Sequence, residues 1–230
     1  MEYAMILLSA GRGVRFGKEI PKQYLAIAGK PMVVHTLENA DKIQEIKEII
    51  VVCNEEYFDT IKGYITNYNI HKKIKLTVGG ATRQESVYKG LLVAEYDSVI
   101  IHEAARPFVS VEDYKKLIDC NCENVTYTYP IPYTVLKKNE DGFISDILKR
   151  DELVNIQLPQ KFVKQDILKC HEKAMEDQQF FTEDAGMIKH YLDKDVYCLK
   201  GQGYNIKITE YIDLLFGEML YREIYMKENV

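Results

Sequence analysis

The chain lacks any long apolar run. No uninterrupted hydrophobic stretch approaches the ~20 residues that a membrane-crossing helix needs. Its opening, Met-Glu-Tyr-Ala-Met-Ile-Leu-Leu-Ser-Ala-Gly, has no cationic stretch and too short an apolar segment for a secretory signal. A cytoplasmic protein with no membrane partner is therefore expected. Cysteine is scarce: Cys53, Cys120, Cys122, Cys170 and Cys198 are scattered, and Cys120-Asn-Cys122 falls one residue short of a C-x-x-C pair. That pattern excludes a disulfide framework or zinc site and reads as reduced intracellular thiols. Positive charge is not in excess, with 30 Lys and Arg against 35 Asp and Glu, so no global field favours nucleic acid. A phosphate ligand would need cations concentrated in one cleft. Repeats, low-complexity tracts and an evident linker are also missing, and 230 residues suit one domain over 1–230 with a sizeable core.

What is present is an alternation of short apolar runs and helical spacings. Residues 4–9, 48–53, 74–78 and 98–102 read as buried parallel strands. Helices are expected over 31–41, 55–68, 83–95 and 111–119. Strands alternating with helices imply right-handed crossovers and an α/β fold, a doubly wound, mostly parallel sheet. Ligands bind such sheets beyond the carboxyl ends of the strands. From Thr126 the texture changes. Residues 126–138 and 143–148 flank the turn Asn139-Glu140-Asp141-Gly142, a hairpin signal. Few apolar positions remain to pack it on its own domain, and an isolated hairpin is marginal in water. It reads as a projecting β-arm over 126–150 held by a partner subunit, or as an ordinary edge hairpin. Further helices are expected over 165–178, 182–191 and 211–226, with a strand over 196–199.

The chemistry-bearing residues follow the strands directly. Ser9-Ala10-Gly11-Arg12-Gly13-Val14-Arg15 is a glycine loop after the first strand, with Pro21-Lys22-Gln23-Tyr24 close behind. Such loops let backbone N–H groups approach phosphate oxygens, and Arg15 and Lys22 add charge. The spacing matches neither the P-loop nor the dinucleotide fingerprint. Gly79-Gly80-Ala81-Thr82-Arg83-Gln84-Glu85-Ser86 can present backbone groups and the Ser86 hydroxyl to a base, and Thr82 with Glu85 can form a capping box. In His102-Glu103-Ala104-Ala105-Arg106-Pro107, Glu103 can hold Mg²⁺ and Arg106 can clamp a phosphate, or the two can be an ion pair at a strand end. In Asn205-Ile206-Lys207-Ile208-Thr209, Lys207 reads as a strand residue facing away from its apolar neighbours, or simply as a solvated edge lysine.

Taken in order, these segments resemble the 2-C-methyl-D-erythritol 4-phosphate cytidylyltransferases and their ribitol 5-phosphate relatives. The matching pieces also include Gly29-Lys30-Pro31, His35-Thr36-Leu37, Leu158-Pro159-Gln160-Lys161-Phe162 and Thr182-Glu183-Asp184-Ala185. The resemblance implies a Rossmann-like nucleotidyltransferase fold, a homodimer with interlocking hairpin arms, CTP, a polyol phosphate acceptor and Mg²⁺. It implies that Ala10, Gly11, Gly13, Gly80, Arg83 and Ser86 bind the nucleotide, and that Arg15, Lys22 and Lys207 are catalytic. It places Glu103, Arg106, Thr134 and Arg150 at the acceptor, Thr134 and Arg150 from the partner's arm. Glu103, Tyr133, Lys149 and Leu158 depart from the pattern, mostly on the acceptor side. Methylerythritol phosphate is the preferred acceptor, with ribitol 5-phosphate or a non-catalytic CTP-binding role as alternatives.

Overall fold

The computed structural model describes residues 1–11 and 20–225. In chain order it contains β1 (Tyr3–Leu8), β2 (Ala26–Ile27), β3 (Lys30–Pro31), α1 (Met32–Asp41), β4 (Ile46–Cys53), α2 (Phe58–Asn67), β5 (Lys73–Val78), α3 (Arg83–Val93), β6 (Ser98–Glu103) and α4 (Val111–Asp119). There follow β7 (Val125–Pro130), β8 (Leu136–Lys138), β9 (Ile144–Ile147), β10 (Val154–Val163), α5 (Lys164–Glu176), α6 (Ala185–Leu192), β11 (Tyr197–Lys200) and α7 (Tyr211–Tyr225). The main sheet has seven strands in the order β11-β7-β10-β6-β1-β4-β5. All neighbours are parallel except β10, which runs antiparallel to both β6 and β7.

The apolar runs are continuous because both faces of the sheet are covered, and alternate side chains of one strand go to opposite faces. In β1, Met5 and Leu7 join Val33, Leu37, Ile61, Tyr114 and Leu117 under α1, α2 and α4. Ala4 and Ile6 join Val87, Leu91, Ile167 and Ile188 under α3, α5 and α6. From β1 the chain passes to β4 and β5 on one side and then to β6 on the other. That reversal opens a crevice beyond the tips of β1 and β6.

Three features differ from the sequence-based expectation. Residues 126–130 belong to the main sheet as β7, so the projecting hairpin itself is β8 and β9. β10 lies between β6 and β7 and was not expected as a strand. Pro159 breaks its pattern, and its register slips between Gln157 and Gln160, so the proline sits at an irregularity where no ladder donor is needed. Residues 205–209 form no strand. They cross the sheet's end as an irregular segment, pinned where the Ile208 N–H donates to the Ala105 carbonyl at 2.8 Å. A third small cluster of Ile27, Met32, Phe108 and Ile208 anchors this segment and α7 to the body.

Candidate active site

A cavity of about 770 Å³ opens at the strand tips. Its walls come from the turns after β1, β5 and β6, together with Lys22 and Lys207. The turn after β1 is held by the buried Gln23, whose Nε2 donates to the Ser9 carbonyl at 2.6 Å and the Gly11 carbonyl at 3.0 Å. The Pro-Lys-Gln segment is thereby stapled to the glycine loop, and Lys22 is delivered to the cavity rim. Ala10 and Gly11 line the cavity. Gly13 and Arg15 lie outside the described residues.

The turn after β5 is compact because it contains two glycines. A Cβ on Gly79 would overlap that of Ala10, and one on Gly80 would overlap that of Glu85. The Gly80 N–H donates to Ser86 Oγ at 3.0 Å, and the Ser86 hydroxyl donates to the Thr82 carbonyl at 2.9 Å. Ser86 therefore shapes the turn as well as lining the cavity. Thr82 caps α3 by accepting from the Glu85 N–H. Glu85 does not complete the expected capping box: its Oε2 accepts from Ala81 N–H at 2.7 Å, one residue earlier.

Charge converges on Glu103 at the tip of β6. Lys207 Nζ lies 3.0 Å from its Oε1 and 2.9 Å from its Oε2. Arg83 Nε donates to Oε1 at 3.2 Å, and Arg106 Nε lies 3.7 Å from Oε2. Burial alone would push the Glu103 carboxyl up, but Lys207 and Arg83 outweigh it and hold it at about 2. Arg83 also donates from Nη2 to Asp184 at 2.7 Å. Burial likewise disfavours the Asp184 charge, and Arg83 with His171 overrides it, keeping the carboxyl far below its usual range. Arg106 Nη1 donates to the Asn205 carbonyl at 2.8 Å, tying the turn after β6 to the segment that carries Lys207. His102 is held neutral: burial drives it down to about 3, while its Nε2 donates to the Arg106 carbonyl at 3.1 Å. It braces the turn and does not itself line the cavity.

Residues 3–223 match a profile of the 2-C-methyl-D-erythritol 4-phosphate cytidylyltransferase family. The chain belongs to this family. A cytidylyltransferase of that name from Clostridium botulinum strain Langeland is 37% identical over 96% of this chain and 98% of the relative. A chloroplastic one from Oryza sativa is 35% identical over 96% of this chain and 74% of the relative. The crystal structure of the 4-diphosphocytidyl-2C-methyl-D-erythritol synthase of Anaerococcus prevotii superposes with a TM-score of 0.84 at 28% identity, covering 96% of both chains. The Thermus thermophilus cytidylyltransferase gives 0.77 at 24% identity, over 96% of this chain and 100% of that one, which supports the fold.

Against the family pattern, the structure brings Ala10, Gly11, Lys22, Gly80, Arg83, Ser86, Glu103 and Lys207 to one cavity. Arg106 stands just behind, paired to Glu103. Thr134 and Arg150 do not line it: they are exposed, on either side of the hairpin. Leu158 is core, only 4% exposed, and does not line the cavity. Gln23, Asp184 and His171 were not singled out by role in the sequence. Asp184 sat inside a quoted motif, and Gln23 followed Lys22 in another.

A divalent cation fits this donor set in one way. Among the described residues no three His, Cys, Asp or Glu side chains gather to form a metal cage. Glu103 is a single carboxylate among three cations, and its buried Oε2 accepts no aligned hydrogen bond. Mg²⁺ is commonly held by one or two carboxylates plus substrate phosphates. Glu103 thus suits a cation that arrives on a triphosphate, since three positive side chains would repel a bare ion.

Proposed function

We propose that this chain transfers CMP from CTP to 2-C-methyl-D-erythritol 4-phosphate, releasing pyrophosphate. The observation that carries this reading is the ring of cations at the strand tips: Lys207, Arg83 and Arg106 around Glu103, in a cavity that also takes Lys22. The Gly79–Ser86 turn, too tight for any side chain at either glycine, is the surface for the nucleotide. The acceptor's phosphate oxygen attacks the α-phosphorus in line, and pyrophosphate leaves. A phosphate is already a competent nucleophile, so no covalent enzyme intermediate is required. The protein's task is to align two polyanions and offset their repulsion. Lys22 and Lys207 do this at the α-phosphate, joined in this reading by Arg15. Arg106 faces the acceptor's phosphate. Bound through Glu103 and the triphosphate, Mg²⁺ would neutralise charge growing on the phosphoryl oxygens.

The hairpin supports a homodimer as part of this reading. Phe143, Ile144 and Ile147 are about 71%, 68% and 77% exposed in the single chain, a surface suited to burial against a second copy. Thr134 and Arg150 would then reach the partner's acceptor site. All five cysteines are free thiols, which suits the reducing cytoplasm where CTP is found. The test is to offer purified protein CTP and Mg²⁺ with methylerythritol phosphate or ribitol 5-phosphate and measure pyrophosphate. Faster release with methylerythritol phosphate is expected. A clear preference for ribitol 5-phosphate, or CTP binding without turnover of either, overturns the assignment.

A further inference from the structure

Asp184 is buried, charged and idle in its own helix. It occupies the N-cap position of α6, yet its side chain caps nothing. The neighbouring Glu183 does that work, accepting from the Ala185 and Gly186 N–H groups at 2.7 and 2.5 Å. Glu183 is in turn fixed by Gln160 of β10, whose Nε2 donates to it at 3.1 Å. Asp184 is left fully buried and turned toward the active-site cavity's back wall, where it takes Arg83 Nη2 at 2.7 Å and His171 Nε2 at 3.2 Å. A buried carboxylate is costly unless it is paired, and here its main partner is a residue of the active-site cavity.

We propose that Asp184 is a positioning residue for the transfer reaction, acting through Arg83 and Glu103 on Lys207; the inference rests on the reading of the site given above. Arg83 has a rigid planar fork. With Nη2 committed to Asp184, its Nε is aimed at Glu103 Oε1. That hydrogen bond fixes the plane of the Glu103 carboxylate, and Lys207 Nζ sits across both carboxylate oxygens. Lys207 stands on an irregular segment, so no helix or strand sets the direction of its side chain. Its aim is instead set by Glu103, and through Arg83 by Asp184. The order of action is Asp184, Arg83, Glu103, Lys207. Without Asp184 the fork is free to turn, the carboxylate rotates, and the ammonium no longer stands where the α-phosphate reacts.

The experiment compares Asp184→Asn, Glu103→Gln and the double variant in steady-state pyrophosphate release. Asp184→Asn is expected to lower kcat by roughly tenfold to a hundredfold, the scale of a small misplacement of a reacting group, with KM for CTP little changed. The double variant should be no slower than the slower single variant, because both changes break one chain of contacts. A purely structural role would make the two losses multiply, and that result overturns the proposal, as does a wild-type kcat for Asp184→Asn. If Asp184→Asn fails to fold, Arg83→Lys carries the same test, since lysine keeps the charge but cannot bridge two carboxylates in fixed geometry. A second readout needs no turnover: the rate at which an amine-reactive reagent labels Lys207 in the folded protein, followed by peptide mass spectrometry. Labelling should quicken severalfold in Asp184→Asn and equally in Glu103→Gln. Unchanged labelling refutes the proposal even if the reaction itself were assigned wrongly, while failure of the wild type to release pyrophosphate would refute only the reaction.

Discussion

Glu103 links the chemistry of the cavity to the stability of the fold. Its carboxyl titrates at about 2 against an ordinary 4.5, with Lys207 the largest of the cations lowering it against burial. The unfolded chain therefore binds the proton more readily than the folded one. The resulting stabilisation is complete above about pH 4.5 and is lost as the pH falls toward 2. Lys207→Ala removes the leading cation and lets the folded carboxyl rise. The variant should therefore melt below the wild type near pH 7 and lose less of its melting temperature between about pH 4.5 and 2, because less of the Glu103 contribution is left to titrate. The same change should lower kcat about 10²–10³-fold, the scale of losing one preorganised charge at a reacting centre. Superimposable melting profiles would contradict the assignment of Lys207 to Glu103. Lys22 was legible as a cavity residue from its place behind the glycine loop, whereas Lys207, which alone reads as a solvated edge lysine, was brought to the cavity only by the ordered resemblance. Asp184 was not legible as Arg83's partner, because that pairing spans 101 residues and no local pattern encodes it. Gln23 was missed as a loop staple for a related reason: both of its acceptors are backbone carbonyls, which carry no residue signature.

Two glycines of neighbouring elements separate what holds the fold from what shapes the site. Gly90 lies in α3 where the helix crosses the sheet, and a Cβ there would stand 2.6 Å from Ile6 Cγ2 and 3.1 Å from Val52 Cγ2, both fully buried. Gly79 lies in the turn that leads into the same helix, against Ala10 of the β1 turn. Gly90→Ala should cost about 1–3 kcal/mol of stability by overpacking, read as a lower melting temperature, with KM for CTP unchanged. Gly79→Ala should instead push the two turns apart and raise KM for CTP several-fold. An exchange of these outcomes, or a raised KM in both, would mean that the Gly79–Ser86 turn is not the nucleotide surface. At this scale β1, β4 and β6 were legible because strands covered on both faces read as unbroken apolar runs. β10 was not, because its buried stretch carries polar side chains with tertiary partners. Gln160 donates to Thr126 Oγ1 at 2.9 Å, and Lys161 Nζ donates to the Ile118 and Cys120 carbonyls at the end of α4. The period-two signal fails where tertiary hydrogen bonds, rather than hydrophobicity, justify burial.

At the scale of the whole molecule, Thr134 and Arg150, which the resemblance assigns to the acceptor, stand away from the cavity. The cavity gathers Ala10, Gly11, Gly80, Arg83 and Ser86, whereas Thr134 and Arg150 are exposed on the flanks of a hairpin that, among the described residues, pairs only with itself. A two-stranded hairpin with exposed Phe143, Ile144 and Ile147 is poorly stable alone, and burial against a second copy, as proposed, would stabilise it. In an isologous dimer each arm would serve the other subunit's cavity, and this can be separated from an arm that serves its own. Lys207→Ala disables the cavity of the subunit that carries it. With exchanged arms, Arg150→Ala should instead disable the partner's cavity. Each variant alone should be nearly inactive. Mixed and allowed to exchange subunits, they form about one half heterodimers by random pairing. Each heterodimer has one site with an intact Lys207 and an intact incoming Arg150, and one site that lacks both. Activity should recover to about a quarter of the wild-type value per subunit, by the same counting, and sedimentation should show dimers throughout. If Arg150 served its own subunit, every site in every dimer would carry one defect and mixing would restore nothing. A silent mixture of folded, exchanging dimers would therefore place Arg150 in its own subunit's site, whereas a monomer in sedimentation would rule out an arm supplied by a partner.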